Sequence, residues 1–360
     1  MKKALLVNKG WSDNLGDQVI KFSIEHLLEE NEYEVDFFDF TQTKQTVYTS
    51  YKNAAEIEHR KEVDHSFKNK IKKLALKSYL FRNTLWYKNN QNLFKGERLA
   101  DNYDLIIIGG GQLILGDSTF PFAMYLWVRL LKKRYKNARL IILGAGAGGS
   151  FKFLDKYLYK RSLKQFDKLY IRDHDSINLI KKNFNVESTY IPDVGFYVSK
   201  AHKLNFKKEK KVLIGITDFL VYKRYNRTNI TEEDYYKYWE EKVINYINND
   251  YIVELFYTTM RDLVQTLKLK QRLERDYNLN VNILYCDSLE ELLNEVAKAS
   301  ILISGRMHGL IIGYAYDCEV IPFVISDKLK SFKEHYLDRN TSIDILQAEI
   351  ENIIKVEINR

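Results

Sequence analysis

Residues 105–111 read LIIIGGG and decide the fold class, because a short run of β-branched apolar residues leads directly into three glycines. Such a run indicates a buried strand of a parallel sheet, which we expect over residues 104–108. Comparable runs occupy residues 4–7, 140–143 and 168–171, and segments of helical periodicity separate them. This alternation predicts an α/β fold with parallel sheets.

A second series of the same kind starts at residues 212–216, after a polar, lysine-rich segment at 199–211 that we interpret as a linker. Since 360 residues exceed one typical domain, two domains are expected. We predict a first domain over residues 1–198 with a basic insertion at about 41–100, a second domain over 212–325, and a helical tail over 326–360. Ligands of such sheets bind beyond the carboxyl ends of the strands, so the loops there are the candidate sites.

Composition narrows the class of protein. The two cysteines, Cys286 and Cys318, lack the spacing of a metal site and favour a reducing compartment. The first apolar run is too short for a signal peptide, and no stretch approaches the roughly 18 apolar residues of a membrane span. These features predict a cytoplasmic protein.

Positive charge concentrates between residues 52 and 98 of a chain whose net charge is +8. From Lys68 to Lys77, apolar residues recur near helical spacing, with lysines on the other faces. Such a helix either covers the core with a solvated face or lies on an anionic membrane surface. The second alternative predicts peripheral contact with the inner face of the membrane. No nucleic-acid-binding motif is found, so we do not expect nucleic acid as a partner.

The segment 304–309 reads SGRMHG, and its polar residues interrupt a region of the sequence that is otherwise apolar. Arg306 and His308 would lie at a helix N-terminus, where backbone N–H groups favour an anion. The guanidinium of Arg306 matches a carboxylate or phosphate, and His308 can act as an acid or a base. The alternative is a capping Ser304, a surface Arg306 and a buried His308 with a structural partner.

Arg172 follows the strand at 168–171, in a position that mirrors Arg306. Two arginines at facing strand ends would hold a dianion across a cleft. The alternative is a surface salt bridge of Arg172 with Asp173 or Asp175. These two aspartates also spell D-x-D, which either holds a divalent metal or caps a helix. We favour the cap and predict no metal.

Two further features lie at strand ends. In the loop after the first strand, Gly16 lets the backbone approach a ligand, whereas Asp17 either faces that ligand or serves as a helix N-cap. Residues 144–149 spell G-x-G-x-x-G after a late strand. Because a dinucleotide fingerprint belongs at the first strand, we interpret these glycines as tight packing at the floor of the cleft.

In their order along the chain, these landmarks resemble the polysaccharide pyruvyltransferase family. They are Asn14-Leu15-Gly16-Asp17, IIIGGG at 106–111, Arg172-Asp173 with Ser176, Pro192-Asp193, and Ser304-x-Arg306-x-His308-Gly309. The resemblance implies two facing Rossmann-like parallel-sheet domains, similar to the GT-B glycosyltransferase architecture. It also implies phosphoenolpyruvate as donor substrate, a pair of sugar hydroxyls as acceptor and a pyruvate ketal as product, with no separate cofactor. The implied process is the synthesis of an exopolysaccharide of the cell envelope.

The same resemblance suggests roles for the site residues. We expect Arg172 and Arg306 to bind the donor and His308 to act as general acid. Ser304, Gly110 and Gly111 would complete the donor site, and Asn14, Gly16 and Asp17 would form the acceptor site. The acceptor is either lipid-linked or nucleotide-linked.

Two other functions compete with this one. One is a nucleotide-sugar-dependent glycosyltransferase of the GT-B fold, and the other is a sugar- or anion-binding protein without turnover. The chain lacks a G-x-x-x-x-G-K-[ST] loop, an H-E-x-x-H pair and a nucleophile elbow. Their absence argues against a nucleoside triphosphatase, a zinc protease and an α/β-hydrolase.

Overall fold

The computed structural model describes residues 2–44, 78–204, 206–225, 229–285 and 288–358. Among these residues, one parallel sheet of six strands has the order β2-β1-β3-β5-β7-β8, and β4 pairs with β6 beside it. The strands of this half are β1 Lys2–Asn8, β2 Tyr33–Asp39, β3 Leu105–Gly109, β4 Ile114–Leu115, β5 Arg139–Ala145, β6 Ala147–Gly148, β7 Lys168–Ile171 and β8 Thr189–Tyr190. The apolar run in β3 is a buried strand of a parallel sheet, as the sequence predicts, and it lies in the middle of the sheet.

A second parallel sheet follows, with five described strands in the order β11-β10-β9-β12-β13. Its strands are β9 Glu209–Gly215, β10 Ile252–Leu255, β11 Asn282–Ile283, β12 Ala299–Ser304 and β13 Glu319–Pro322. In each sheet the strand order reverses once, between β1 and β3 and between β9 and β12. Such a reversal leaves a crevice beyond the carboxyl ends of the two strands, so each half offers one candidate binding place.

Helices cover both sheets. They are α1 Leu15–Glu29, α2 Tyr79–Asn90, α3 Phe120–Arg134, α4 Phe153–Leu163, α5 His174–Phe184, α6 Val198–His202, α7 Phe219–Tyr225, α8 Glu232–Asn248, α9 Met260–Tyr277, α10 Leu289–Lys298, α11 Met307–Ala315, α12 Asp327–Phe332 and α13 Ile343–Ile358. A π-helical turn, Lys333–Leu337, follows α12. Among the residues that the structure describes, no helix combines the length and apolarity that a membrane crossing requires.

The interpretation of 199–211 as a linker is wrong at both ends of the segment. Its first residues belong to α6, and its last three belong to β9. Lys211 is buried in β9, where its Nζ lies 2.6 Å from Glu254 and 2.5 Å from Glu295. A lysine-rich composition suggests solvent, but paired carboxylates allow this lysine to lie inside a sheet.

The C-terminal segment returns to the first half of the chain. Glu357 of α13 accepts hydrogen bonds from Tyr170 in β7 at 2.6 Å and from Arg139 in β5 at 2.5 Å. Gln347 of the same helix donates to the carbonyl of Phe196 at 2.9 Å. The helical tail predicted from the sequence therefore packs on the first half of the chain, and residues 326–336, which precede α13, lie beside the ends of β6 and β8.

Candidate active site

The first turn of α1 forms one wall of the site. Asn14 is the N-cap, and its side chain accepts a hydrogen bond from the backbone of Gly16 at 3.1 Å. Asp17 therefore lies inside the helix, and the alternative that it serves as N-cap is wrong. Its Oδ2 accepts from the hydroxyl of Ser12 at 3.0 Å. Burial raises the pKa of Asp17, against the opposing influence of the neighbouring His308.

Gly16 is the point at which the second half of the chain meets this helix. A Cβ at this position would lie 2.4 Å from Nδ1 of His308 and 2.5 Å from its Cβ. His308 is in the first turn of α11, beyond the end of β12. Only a glycine allows the histidine to sit this close to α1, so the predicted close approach at Gly16 is made to a side chain of the other half.

Arg172, Asp193 and His308 form the centre of the site. Nη1 of Arg172 donates to Oδ2 of Asp193 at 2.8 Å and lies 3.5 Å from Nε2 of His308. Nε2 of His308 lies 3.7 Å from the same Asp193 oxygen. From the sequence, Asp193 is only a landmark of the family, and the partners expected for Arg172 are its neighbours Asp173 and Asp175.

Asp193 is held in place by the turn that follows it. Its Oδ1 accepts from the backbone of Gly195 at 3.0 Å, which fixes the start of the 3₁₀ turn Val194–Tyr197. Burial alone would raise the pKa of Asp193, but the Arg172 guanidinium and His308 outweigh it and keep that pKa well below its usual range. The site thus contains an ionised, buried carboxylate against a buried arginine.

The surface salt bridge considered for Arg172 is not its main interaction. Arg172 is 6% exposed, and its Nε lies 3.9 Å from Asp173, compared with 2.8 Å between Nη1 and Asp193. Asp173 instead caps α5 by accepting from the backbone of Ser176 at 2.7 Å. Within the described ranges, no group of three or more histidine, cysteine or carboxylate side chains is arranged to hold a metal ion.

Arg306 belongs to the second half of the chain and is held there by a carboxylate of that half. Its Nε and Nη2 donate to the two oxygens of buried Asp262 at 2.8 and 2.6 Å. Ser304 supports this turn, since its hydroxyl accepts from the backbone of Arg306 at 3.0 Å. The bidentate pair fixes one edge of the guanidinium, and Nη1 has no partner in the part of the chain that the structure describes. Sequence reasoning did not find Asp262.

The glycines after β3 lie beside the first turn of α1. Gly110 and Gly111 have φ angles of 77° and 66°, a backbone conformation that favours glycine. A Cβ on Gly111 would lie 3.0 Å from Oδ1 of Asp17. The structure therefore brings the predicted donor-site glycine and the predicted acceptor-site aspartate together at the strand-order reversal of the first sheet.

A cavity of about 630 Å³ opens on the Arg172 side of this centre. Its walls come from the ends of β6 to β8, the start of α5, and residues 326–336 of the returning C-terminal segment. Arg172 and Asp193 line it, whereas Arg306 and His308 do not. His174 stacks on Tyr190 in its wall, with ring centroids 5.0 Å apart. Sequence reasoning missed the lining residues at 326–336, because this segment lies beyond the landmarks that carry the family resemblance.

Lys328 of the C-terminal segment adds a positive charge to the wall of the cavity. It lines the wall and makes no ion pair within the described residues. Desolvation by the surrounding protein lowers the pKa of Lys328 to about 8, and the nearby Arg172 adds to this effect while Asp173 opposes it. A lysine between a buried arginine and open cavity space is available to bind an anion. The bound anion would offset both the desolvation of the ammonium group and its repulsion by Arg172.

Lys330 lines the same cavity but is differently placed. Its Nζ lies 3.9 Å from Glu334, so its charge already has a partner. Lys330 therefore lines the same cavity with its charge already paired, which makes it the reference position for Lys328.

Comparison with known proteins shows the family and the fold. The family profile described as polysaccharide pyruvyl transferase matches residues 14–327. No curated protein matches the chain.

Solved structures of similar fold have low sequence identity. The UDP-GlcNAc 2-epimerase from Methanocaldococcus jannaschii is 10% identical, with 100% of both chains covered and a TM-score of 0.52. The Neisseria meningitidis UDP-GlcNAc 2-epimerase bound to UDP-GlcNAc has the same identity and coverage and a TM-score of 0.50. The E. coli heptosyltransferase WaaC is 11% identical over 89% of this chain and 88% of its own, with a TM-score of 0.41. The predicted fold class, two parallel-sheet halves of the GT-B type, is confirmed.

Proposed function

Since the chain belongs to the polysaccharide pyruvyl transferase family and is a transferase, we propose that it transfers the enolpyruvyl group of phosphoenolpyruvate to two hydroxyls of one sugar. The product is a cyclic pyruvate ketal on a precursor of an exopolysaccharide of the cell envelope. Phosphoenolpyruvate is the donor substrate, and the reaction uses no separate cofactor. The observation that carries this proposal is the contact of His308 with Arg172 and Asp193 at the edge of a cavity.

The reaction balances without an oxidant or a reductant. Carbon 2 of phosphoenolpyruvate gains bonds to both sugar oxygens and loses its bond to the phosphate oxygen. One hydroxyl proton ends on carbon 3, which changes from a methylene to a methyl group, and the other leaves with inorganic phosphate. The site must therefore supply a proton donor, a proton acceptor and positive charge for the phosphate and carboxylate.

Positive charge for the donor comes from three side chains on different elements. Arg172 and Lys328 reach the cavity, and Arg306 presents Nη1 from the second half. Asp193 neutralises much of the charge of Arg172, and Asp262 does the same for Arg306. Lys328 forms no ion pair among the described residues, so its charge is available to attract an anion. Ser304, Gly110 and Gly111 shape the backbone around this donor site.

His308 is placed to move the protons. Nε2 faces the Asp193 carboxylate and the Arg172 guanidinium, whereas Nδ1 lies over Gly16, close to Asp17. A histidine in this position can give a proton to the departing phosphate or to carbon 3 and accept one from a sugar hydroxyl.

The acceptor sugar is proposed to approach from the side of Asn14, Gly16 and Asp17. Asp17 has a raised pKa and a hydroxyl neighbour, which suits a carboxyl group that exchanges a proton with a sugar hydroxyl. The stacked His174 and Tyr190 rings offer an apolar face in the adjoining cavity. We propose a lipid-linked sugar as acceptor and a cytoplasmic location for the enzyme. The predicted membrane contact from Lys68 to Lys77 lies outside the described residues.

Phosphate release tests this function. The purified chain is incubated with phosphoenolpyruvate and a panel of sugar acceptors, and inorganic phosphate is measured. We expect acceptor-dependent release that His308→Ala and Arg306→Ala each reduce at least about a hundredfold. Full turnover in either variant would overturn the assigned roles.

A nucleotide-sugar-dependent glycosyltransferase remains the competing function. The likeness to UDP-GlcNAc 2-epimerases concerns the fold alone at 10% identity. Release of UDP from a nucleotide sugar, with no phosphate release from phosphoenolpyruvate, would favour that alternative.

A further inference from the structure

Large apolar side chains are exposed at the beginnings of two helices of the first half. Leu80 is 71% exposed and Phe81 lies beside it in the first turn of α2. Phe153 is 83% exposed, with Leu154 next to it in the first turn of α4 and Tyr157 one turn further along. Single exposed apolar residues are common on protein surfaces, but five of them at two helix starts indicate a binding surface.

The two helix starts are tied to each other. Oδ1 of Asp117 accepts from Lys152, the residue before α4, at 2.8 Å. The same oxygen lies 3.5 Å from Nη2 of Arg82 in the first turn of α2. One carboxylate oxygen therefore contacts a side chain from each helix start, so the two helix starts and the exposed apolar residues on them are neighbours on the surface.

Lysines extend this face along α4. Lys156, Lys160 and Lys164 follow one another at spacings of four residues and are exposed. Spacings of three and four residues place Phe153 and Tyr157 beside them on the same side of the helix. In the part of the chain that the structure describes, none of the three lysines forms an ion pair.

We infer that the face formed by Leu80, Phe81, Phe153, Leu154, Tyr157, Lys156, Lys160 and Lys164 binds the surface of an anionic lipid bilayer. Phe and Leu side chains enter the boundary between headgroups and acyl chains, and lysines remain among the phosphates. A protein partner would also cover apolar residues, but an unpaired lysine stripe beside exposed phenylalanines matches an anionic surface in charge. The net charge of +8 acts in the same direction.

The location of this face connects it with the proposed site. Gly148 of β6 lines the cavity, and Phe153 follows five residues later, within about 17 Å of chain. If the proposed function holds, an acceptor carried by a membrane lipid would reach the cavity from this side. The bilayer contact itself does not depend on turnover, so it can be tested separately.

Vesicle sedimentation of the full chain tests the inference. The vesicles contain phosphatidylcholine either alone or mixed with phosphatidylglycerol, and circular dichroism checks that each variant is folded. We expect binding to the anionic vesicles only, weakening at high salt. The quadruple variant L80S/F81S/F153S/L154S and the triple variant K156E/K160E/K164E should each weaken binding at least about tenfold.

The control variant K133E/K237E/K355E changes the net charge equally on exposed positions elsewhere. It should retain binding within about twofold to threefold of the unsubstituted chain. Equal losses in the two triple variants would mean a general charge effect and would overturn the inference. Unchanged vesicle binding in the quadruple variant would also overturn the inference. A third contradicting result would be a quadruple variant that binds vesicles normally but changes its oligomeric state, since the face would then bind a second copy of the chain.

Discussion

Nε2 of His308 lies 3.5 Å from Nη1 of Arg172, although the two residues follow strands of different sheets. Asp193 joins them, since its Oδ2 is 2.8 Å from Arg172 and 3.7 Å from His308. The candidate site is therefore complete only where the two halves of the chain meet. Changes to this contact should affect both stability and turnover.

Asp193→Asn removes the charge that neutralises buried Arg172. Breaking a buried pair in this way typically costs about 3–5 kcal/mol, and we expect a loss of this size in the free energy of unfolding. Asp173→Asn is the control, because it removes a more exposed carboxylate 3.9 Å from Arg172 and keeps an amide able to cap α5. Denaturant unfolding of both variants measures the difference. Equal effects would contradict the assignment of Asp193 as the main partner.

The stabilisation by Asp193 should depend on pH in a defined direction. The pKa of this carboxyl is lowered in the folded protein. As the pH falls below about 4, the unfolded chain takes up a proton that the folded chain does not, so the folded state loses its advantage. The stability difference between wild type and Asp193→Asn should be full at pH 7 and shrink below about pH 4. A constant difference down to pH 3 would argue against the lowered pKa.

Gly16→Ala should disturb His308 rather than α1 itself. The added Cβ would lie 2.4–2.5 Å from His308 atoms, and we expect a loss of about 1–3 kcal/mol in stability and of about a hundredfold in kcat. In the His308→Gly background the obstructing atoms are absent, so Gly16→Ala should cost little stability. A double-mutant cycle by chemical denaturation measures this coupling. Additive effects would mean that the two residues do not touch.

Lys328→Met should weaken phosphoenolpyruvate binding about tenfold, whereas Lys330→Met should change it by less than about twofold to threefold. The reason is that Lys330 is paired with Glu334 and Lys328 has no ion partner among the described residues. Because the pKa of Lys328 is about 8, wild-type affinity should fall as the pH rises through that value. Lys328→Arg should remove this pH dependence. An unchanged profile in that variant would exclude Lys328 as its source.

Arg306→Lys tests the fork that holds Asp262. A lysine cannot make both hydrogen bonds, so we expect kcat/KM to fall at least about tenfold. The control is Arg275→Lys in the same half, since Nε and Nη2 of exposed Arg275 make the same kind of bidentate pair with Asp276 at 2.6 and 2.7 Å. If both substitutions lowered kcat/KM alike, Arg306 would have only a structural role.

Much of the fold follows from local sequence. A short apolar run such as 105–109 indicates a buried strand from its own composition. A polar residue directly after such a run lies at the carboxyl end of that strand. This reasoning located Arg172, Arg306 and His308 correctly at strand ends. It failed for Lys211, whose burial depends on two carboxylates from distant elements.

The partners within the site were harder to predict. Asp262 lies 44 residues before Arg306, in the first turn of α9, and no local pattern connects the two residues. Lys328 reaches the cavity only because the C-terminal segment folds back over the first sheet. Contacts of this kind depend on how whole elements pack, which periodicity and spacing do not specify.

The most direct test is a calorimetric titration of the purified chain with phosphoenolpyruvate and, separately, with UDP-N-acetylglucosamine. We expect saturable binding of phosphoenolpyruvate that Arg172→Lys weakens at least about tenfold, and no binding of the nucleotide sugar. Binding of UDP-N-acetylglucosamine without binding of phosphoenolpyruvate would contradict the proposed donor, and a glycosyltransferase on the same fold would then be the better description.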